Sequence, residues 1–257
     1  MTCSKIKLCF RENDTFGLYK NKKGFGYFRK LFDEPALMEC LESPDAFLDY
    51  GDIMKDSRTT KAALSELANG KKIFIKRFNN KGTVYTAKYL FRHARPFRVW
   101  RIAWAMEQAK IPTPMPMAAF AEYKFGIPGN AYLIREVVDN VIETLDFFKL
   151  MKSDNNLSES FLKNIASLFK TMHDKGIYHG DAKCSNIFVT EKNGKFEYGV
   201  WDLLSCKLFN ADVPQKFRQK ELKHIAWSFA EISNRNSNVI DEIEINEKLN
   251  SYYLNKN

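Results

Sequence analysis

Asp181, Lys183 and Asn186 stand two and three residues apart in Ile177-Tyr-His-Gly-Asp-Ala-Lys-Cys-Ser-Asn-Ile-Phe-Val-Thr190, between a helix-like segment and a strand-like one. A loop at that place can aim three polar groups at one point. Phosphoryl transfer asks little covalent chemistry of a protein. It needs an acceptor hydroxyl held in line, phosphate charge neutralised, and metal fixed among phosphate oxygens. In such chemistry Asp181 orients the hydroxyl and accepts its proton, Lys183 meets the γ-phosphate, and Asn186 offers an oxygen to magnesium. Farther on, Asn193-Gly194 marks a hairpin turn whose return strand, Phe196, Tyr198 and Val200, delivers Asp202 facing Asn186. One carboxylate with one amide suits Mg²⁺, which takes few protein oxygens beside those of phosphate. The His-Gly-Asp triplet alone is compatible with an ordinary turn; its agreement with Lys183, Asn186 and Asp202 carries the reading. Cys184 is expected to be a small filler, and His179 to shape the loop through a backbone hydrogen bond.

The elements that must hold this loop are visible as periodicity. Ser158 to Lys175 places Phe161, Ile165, Leu168, Phe169 and Met172 on one helical face, with Gly176 as the C-terminal cap residue. Gln215 to about Asn234 repeats the pattern through Phe217, Leu222, Ile225, Ala226 and Phe229. The first part of the chain reads as strands. Asp56 to Thr60 is a polar turn leading into a strand from Ala62 to Leu67. Asn69-Gly70 is a tight turn, and Lys72 to Phe78 alternates, so Lys76 lies in the third strand of a meander. Phe97, Trp100, Trp104 and Glu107 line one face of a helix after Pro96, the tryptophans as core, and Ile111 to Pro116 ends it. Ala131 to Val138 is an apolar strand, Glu34 to Leu41 a short helix, and residues 1–30 weak strands or an irregular extension.

Length and composition allow a packed core: 257 residues, 45% hydrophobic and 14% aromatic. Five cysteines with no C-x-x-C pair argue against both a disulfide framework and zinc, so a reducing cytoplasm is the expected setting. No signal peptide is expected after the charged first residues, and no run of about 18 apolar residues appears. A charge of +9 favours an anionic partner. Nucleic acid is not expected, because the aromatic and basic signatures of RNA-reading sheets and Cys/His fingers are absent from the sequence.

His179-Gly-Asp181-x-Lys183-x-x-Asn186 followed by Trp201-Asp202 resembles the catalytic loop and metal-binding aspartate of the protein-kinase-like superfamily. Lys55-Asp-Ser-Arg-Thr-Thr60, Ile75-Lys-Arg-Phe78, Arg98 and Trp100 before Ile111-Pro-Thr-Pro114, and Ala131-Tyr-Leu-Ile134 resemble the bacterial lipopolysaccharide core kinase family, over about Glu34 to Phe229. The resemblance implies a bilobal α+β fold: an N-terminal antiparallel sheet with one helix over residues 31–138, after the extension 1–30, and a helical C-terminal lobe over 139–257. It implies ATP and Mg²⁺ as cofactors and a heptose or Kdo of the lipopolysaccharide core oligosaccharide as acceptor. The setting implied is cytoplasmic, peripheral on the anionic inner-membrane surface. Lys76 then resembles the third-strand lysine. Glu136 and Val138 are the expected adenine contacts on a hinge from Glu136 to Asp139, with the Ile134 side chain near the ring.

The chain departs from the superfamily pattern in three places. No glycine-rich loop follows the first strand, so Ser57, Arg58, Thr59 and Thr60 are expected to grip phosphate with hydroxyls and backbone N–H groups. No acid occurs between Gly82 and Met106, leaving Glu107 as partner for Lys76. Leu203-Leu204 stands where Phe-Gly is usual. Two other readings remain: a protein or small-molecule kinase of the aminoglycoside or choline kinase type, against which Lys183 speaks, and a nucleotide-binding pseudokinase. The basic cluster Lys88, Arg92, Arg95, Arg98 and Arg101 is expected on a helix that touches the membrane surface.

Overall fold

The computed structural model describes residues 6–32, 34–80, 82, 94–235 and 241–254. The chain divides into two units, one of residues 2–104 with 114–137 and one of residues 105–113 with 138–257. The first unit is strand-rich. Its chain order is β1 (Phe16–Lys20), β2 (Gly24–Arg29), α1 (Pro35–Glu42), α2 (Pro44–Tyr50), β3 (Asp52–Ser57), β4 (Thr60–Glu66), β5 (Lys72–Phe78), α3 (Arg95–Gln108, whose residues 105–108 count with the second unit), β6 (Pro116–Lys124) and β7 (Ile127–Glu136). The strands form one antiparallel sheet in the order β1-β2-β6-β7-β5-β4-β3. Residues 16–29, which alone read as weak strands, are thus full members of the sheet.

Period-two alternation gives the sheet two distinct faces. Ile73, Ile75, Ala63, Phe120, Tyr132 and Ile134 face Leu37, Leu41 and Leu48 of α1 and α2 in one buried cluster. Both helices begin with a proline, whose fixed φ suits a first turn and whose missing N–H costs nothing there. Of the two α3 tryptophans expected as core, Trp100 is core and Trp104 is half-buried. Trp100 is buried and its indole N–H donates to the Cys9 carbonyl at 2.7 Å, while Phe16 meets Trp100 and Trp104 edge-on at 5.5 and 5.0 Å. The buried Arg29 guanidinium lies over the Phe16 and Trp104 rings at 5.4 and 5.6 Å. Of the basic cluster, Lys88 and Arg92 lie outside the described residues, Arg95 and Arg101 are half-buried, and Arg98 is exposed.

The strand expected from Ala131 to Val138 begins earlier and ends earlier, at Ile127 and Glu136. Its start is set by a tight turn at Phe125-Gly126, both with positive φ, which folds β6 directly onto β7. Phe-Gly is not a recognisable turn pair, so the hairpin had no local sequence signal.

The second unit is helix-rich. It contains β8 (Val141–Ile142), α4 (Thr144–Ser153), α5 (Asn155–Asp174), β9 (Ile177–Tyr178), β10 (Ile187–Lys192), β11 (Lys195–Val200), β12 (Lys207–Leu208), α6 (Gln215–Arg235) and α7 (Glu242–Leu254). The hairpin β10–β11 carries β8 on its other edge, and β9 pairs with β12. Asn193 and Gly194 make the turn with φ of +53° and +72°. The α5 helix starts three residues before Ser158, because the Asp154 carboxylate accepts the N–H groups of Asn156 and Leu157 at 2.9 and 3.1 Å and caps it. Phe161, Ile165, Phe169 and Met172 are buried with Phe147, Phe148 and Phe229. Among the described residues no helix is long and apolar enough to cross a membrane.

Truncation of a fully buried side chain between α1 and the sheet should be felt as lost transfer energy plus a cavity. Leu37→Ala is expected to lower stability by about 2–5 kcal/mol in urea unfolding. A loss below about 1 kcal/mol would show that α1 is not packed on the sheet as described.

Candidate active site

In the helix-rich unit the loop after β9 is closed by short-range bonds that leave its polar groups pointing together. The Asn186 amide nitrogen donates to both the Asp181 carbonyl (2.8 Å) and its carboxylate Oδ2 (2.9 Å). Both partners are acceptors, so the nitrogen must lie on that side and Oδ1 on the other. The same Asp181 Oδ2 is 3.6 Å from the Lys183 ammonium. Asp181 and Lys183 are half-buried and Asn186 is buried. The structure therefore brings together three residues that sequence spacing had paired.

The segment bearing Asp202 is tied to this loop by its neighbour. Trp201 donates its backbone N–H to Asn186 O at 3.1 Å and its indole N–H to Ser185 O at 2.9 Å. Its own carbonyl faces His179 Nε2 at 3.0 Å. A carbonyl only accepts, so Nε2 carries the proton and Nδ1 is the acceptor for the Asp181 N–H, at 3.4 Å. His179 is fully buried and thus joins the two segments as a neutral ring, its pKa held below the ordinary value by burial, which the nearby carboxylates only partly offset. Asp202 itself is exposed and left-handed, with φ of 56° and ψ of 59°, a region that Asp tolerates better than most residues. Asn186 Oδ1 and the Asp202 carboxylate are the amide and carboxylate oxygens that could hold Mg²⁺.

The residue that sequence reasoning missed is Glu221 on α6. Its carboxylate is buried and accepts the backbone N–H groups of His179 (3.2 Å) and Gly180 (2.5 Å) as well as His173 Nε2 (2.8 Å). On its other side His173 Nδ1 meets the Tyr253 hydroxyl at 2.8 Å, and that oxygen accepts from Arg218 at 2.9 Å. Two turns farther along α6, Ser228 Oγ accepts the Cys184 N–H at 3.0 Å. The Cys184 thiol, buried and pushed up to about 12, is an inert filler as expected. The signal was present: Glu221 stands four residues after Phe217 and four before Ile225, an acid on an apolar stripe. Gly180 has φ of +82°, and a Cβ there would lie 2.5 Å from Ser205 O, so only glycine fits the turn.

The remaining residues singled out from sequence lie apart from this loop along the chain. Lys76 is on β5, half-buried, opposite Ala62 and Leu133, with its ammonium 5.5 Å from the Phe78 ring. Directly opposed residues share a face, so Leu133 and not Ile134 stands beside Lys76. Ile134 instead belongs to the cluster under α1 and α2. One residue of strand register thus puts Ile134 and Lys76 on opposite faces of the sheet. In the β3–β4 turn the Ser57 hydroxyl takes the N–H groups of Thr59 and Thr60 at 3.4 and 3.2 Å and approaches Thr60 O at 3.0 Å; Arg58 is exposed. The turn is thus closed on its own hydroxyl. Glu107 is exposed in the last turn of α3. Glu136 ends β7: its N–H goes to Met115 O at 3.0 Å, its carbonyl accepts from Arg135 at 3.2 Å, and its carboxylate pairs with Lys71 at 3.1 Å. Val138 lies two residues beyond the strand, half-buried.

An antiparallel sheet with few helices, a helical unit, and an Asp-x-Lys-x-x-Asn loop tied to a second aspartate define the protein-kinase-like class of α+β fold. Residues 50–245 match the family model described as the lipopolysaccharide kinase (Kdo/WaaP) family, and the chain belongs to that family. It is 30% identical over 129 residues to a 3-deoxy-D-manno-octulosonic acid kinase of Actinobacillus succinogenes, a match covering 49% of this chain and 52% of that one. It is 23% identical over 163 residues to the enzyme of the same name from Mannheimia succiniciproducens, covering 60% of this chain and 66% of the relative. The chain thus spans about half to two thirds of the length of these curated relatives. The solved structure of WaaP in complex with acyl carrier protein is similar with a TM-score of 0.63 at 14% identity, over 84% of this chain and 83% of that one, a likeness of fold.

Burial makes the His179 link sensitive to acid. Its folded pKa is depressed, so between the folded and unfolded values the unfolded chain binds more protons. The stabilisation from a neutral His179 is present above about pH 6.5 and is lost as pH falls below it. Stability of the wild type, followed by urea unfolding from pH 7.5 down to pH 5, is expected to fall more steeply than that of His179→Gln. Parallel profiles would contradict a buried neutral ring.

Proposed function

We propose that the chain is an ATP-dependent phosphotransferase that phosphorylates a hydroxyl of a lipopolysaccharide inner-core sugar. The observation that carries this is the double hydrogen bond from Asn186 to Asp181, which fixes the carboxylate and turns the amide oxygen away from it. Both curated relatives are named 3-deoxy-D-manno-octulosonic acid kinase, which favours Kdo over heptose as the acceptor.

In the proposed mechanism Asp181 aligns the sugar hydroxyl and takes its proton as the oxygen attacks the γ-phosphorus and the bond to the ADP oxygen breaks. Lys183, whose ammonium is held loosely at 3.6 Å from Asp181, reaches the γ-phosphate and offsets its charge. Asn186 Oδ1 and Asp202 are the residues that would hold Mg²⁺, which when bound neutralises phosphate charge. Within the strand-rich unit, Lys76 is proposed to contact phosphate from a face that it shares with Ala62, Leu133 and, one strand on, Ala119. Ser57, Arg58, Thr59 and Thr60 would add to that grip by exchanging the internal bonds of the Ser57 hydroxyl for phosphate oxygens. Glu136 and Val138 are the proposed adenine contacts, the former through the second lone pair of its carbonyl. Glu107 is the acid proposed to act with Lys76. Action on a lipid-linked sugar places the enzyme at the cytoplasmic side of the inner membrane.

Labelled ATP and dephosphorylated core lipopolysaccharide provide the test. Asp181→Ala is expected to lower transfer by about 10²–10⁴-fold while ATP affinity stays close to wild type, because Asp181 acts on the hydroxyl and not on the phosphates. In contrast, Asp202→Ala is expected to weaken ATP binding in calorimetric titrations containing Mg²⁺ and to leave the metal-free titration unchanged. Efficient labelling of a protein or an aminoglycoside with the core sugar inert would overturn the substrate. Wild-type transfer by Asp181→Ala would overturn the mechanism.

A further inference from the structure

The β6–β7 hairpin ends in Lys124-Phe125-Gly126-Ile127, with φ of +52° at Phe125 and +78° at Gly126. Two successive left-handed residues make a turn whose first position normally holds Asn, Asp or Gly, because a bulky side chain is strained there. This chain places a phenylalanine at that position and leaves it 93% exposed, next to an Ile127 that is 51% exposed. The strain is not offset by burial within the fold. A local rule broken without such a gain marks a place where a residue serves something outside the fold.

The neighbouring β1–β2 turn supplies the chemistry of the partner. Tyr123 N–H donates to Lys23 O at 2.7 Å and Glu122 pairs with Gly24, so the two turns lie side by side. Lys20, Lys22, Lys23 and Lys124 are all exposed around them. Four acids are near: the Glu42 carboxylate accepts from Tyr19 and Asn21, Glu122 is half-buried, and Asp45 and Asp49, which line one pocket with Lys23 and Glu122, pair with Arg77 and Lys61. The exposed rim is therefore basic around one projecting aromatic ring.

We infer that this pair of turns is a membrane-docking edge: Phe125 and Ile127 enter the headgroup boundary of an anionic bilayer while Lys20, Lys22, Lys23 and Lys124 meet the lipid phosphates. A single projecting aromatic offers too little area for a stable protein interface, which needs many buried residues a side. Insertion at a bilayer interface needs only apolar depth with basic charge around it. The inference deepens the lipid-linked acceptor reading and replaces the expected contact through α3, where Arg98 is the one exposed arginine among the described residues of the cluster.

Sedimentation of the full chain with phosphatidylethanolamine–phosphatidylglycerol vesicles, and with phosphatidylcholine vesicles, tests it. Phe125→Asn is expected to lower affinity for the anionic vesicles about tenfold, the effect of losing one buried large side chain. Since Asn suits the left-handed position, the same variant should melt no lower than wild type. Lys22→Gln and Lys124→Gln should each cost roughly fivefold, and added salt should weaken wild-type binding. Equal binding of Phe125→Asn and wild type, equal binding to neutral vesicles, or no vesicle binding at all would overturn the docking edge. An acidic protein as the true partner would give the last of these outcomes. Transfer from ATP to a soluble, delipidated core oligosaccharide should be unchanged in Phe125→Asn. If wild type fails that transfer while binding vesicles, the substrate reading falls and the docking edge stands.

Discussion

A carboxylate buried beside an apolar helix face is the constraint on which the geometry of the helix-rich unit turns. Glu221 cannot remain there unless its oxygens are matched, and leaving such a group without a partner costs about 3–5 kcal/mol. Its matches are the N–H groups of His179 and Gly180 and the ring of His173. The first two are the backbone immediately before Asp181, so satisfying the carboxylate fixes the direction in which the loop leaves β9. Gly180 then turns with positive φ in a space too tight for a Cβ. Asp181 emerges from that turn with its carboxylate toward Asn186 and Lys183. The chemistry proposed for Asp181 is thus set by a helix residue forty positions downstream.

The second segment is attached to the same frame. His179, held through its backbone by Glu221, holds Trp201 through its ring, and Trp201 grips Ser185 and Asn186 through both of its N–H groups. Asp202 follows directly. Beyond it, Leu203 is buried and β12 returns to pair with Ile177 and Tyr178, just ahead of His179. The leucines that stand where Phe-Gly is usual are therefore part of a segment closed back onto the loop it serves, consistent with their lack of glycine freedom.

What the sequence shows directly is what local chemistry decides. Asp181, Lys183 and Asn186 are three polar residues at loop spacing, and Asn193-Gly194 announces the hairpin that delivers Asp202. The long helices α5 and α6 were legible because their apolar period is sustained, and α5 was misplaced only at its start, where Asp154 caps it. Glu221 was passed over because a pattern of apolar residues tolerates one acid without changing period, and only the tertiary structure shows what the acid touches. Strand register was not legible either: Ile134 and Leu133 are both apolar, so alternation could not say which of them shares the face of Lys76. The β6–β7 turn was invisible for the opposite reason, since Phe125 is the wrong residue for its own conformation. Charge along α3 misled as well, because Arg95 and Arg101 are drawn half into a helix that is buried on most sides.

The claim that a buried carboxylate on α6 positions the loop proposed to be catalytic is tested most directly by the steady-state kinetics of Glu221→Gln. The amide retains the volume but replaces one acceptor oxygen with an N–H donor, which opposes the backbone N–H groups of His179 and Gly180. In protein that still unfolds cooperatively, kcat should fall by roughly 10²-fold, the effect of a displacement of about 1 Å at the reacting centre, while KM for ATP stays near wild type. An unchanged kcat, or a raised KM for ATP with kcat intact, would contradict the account.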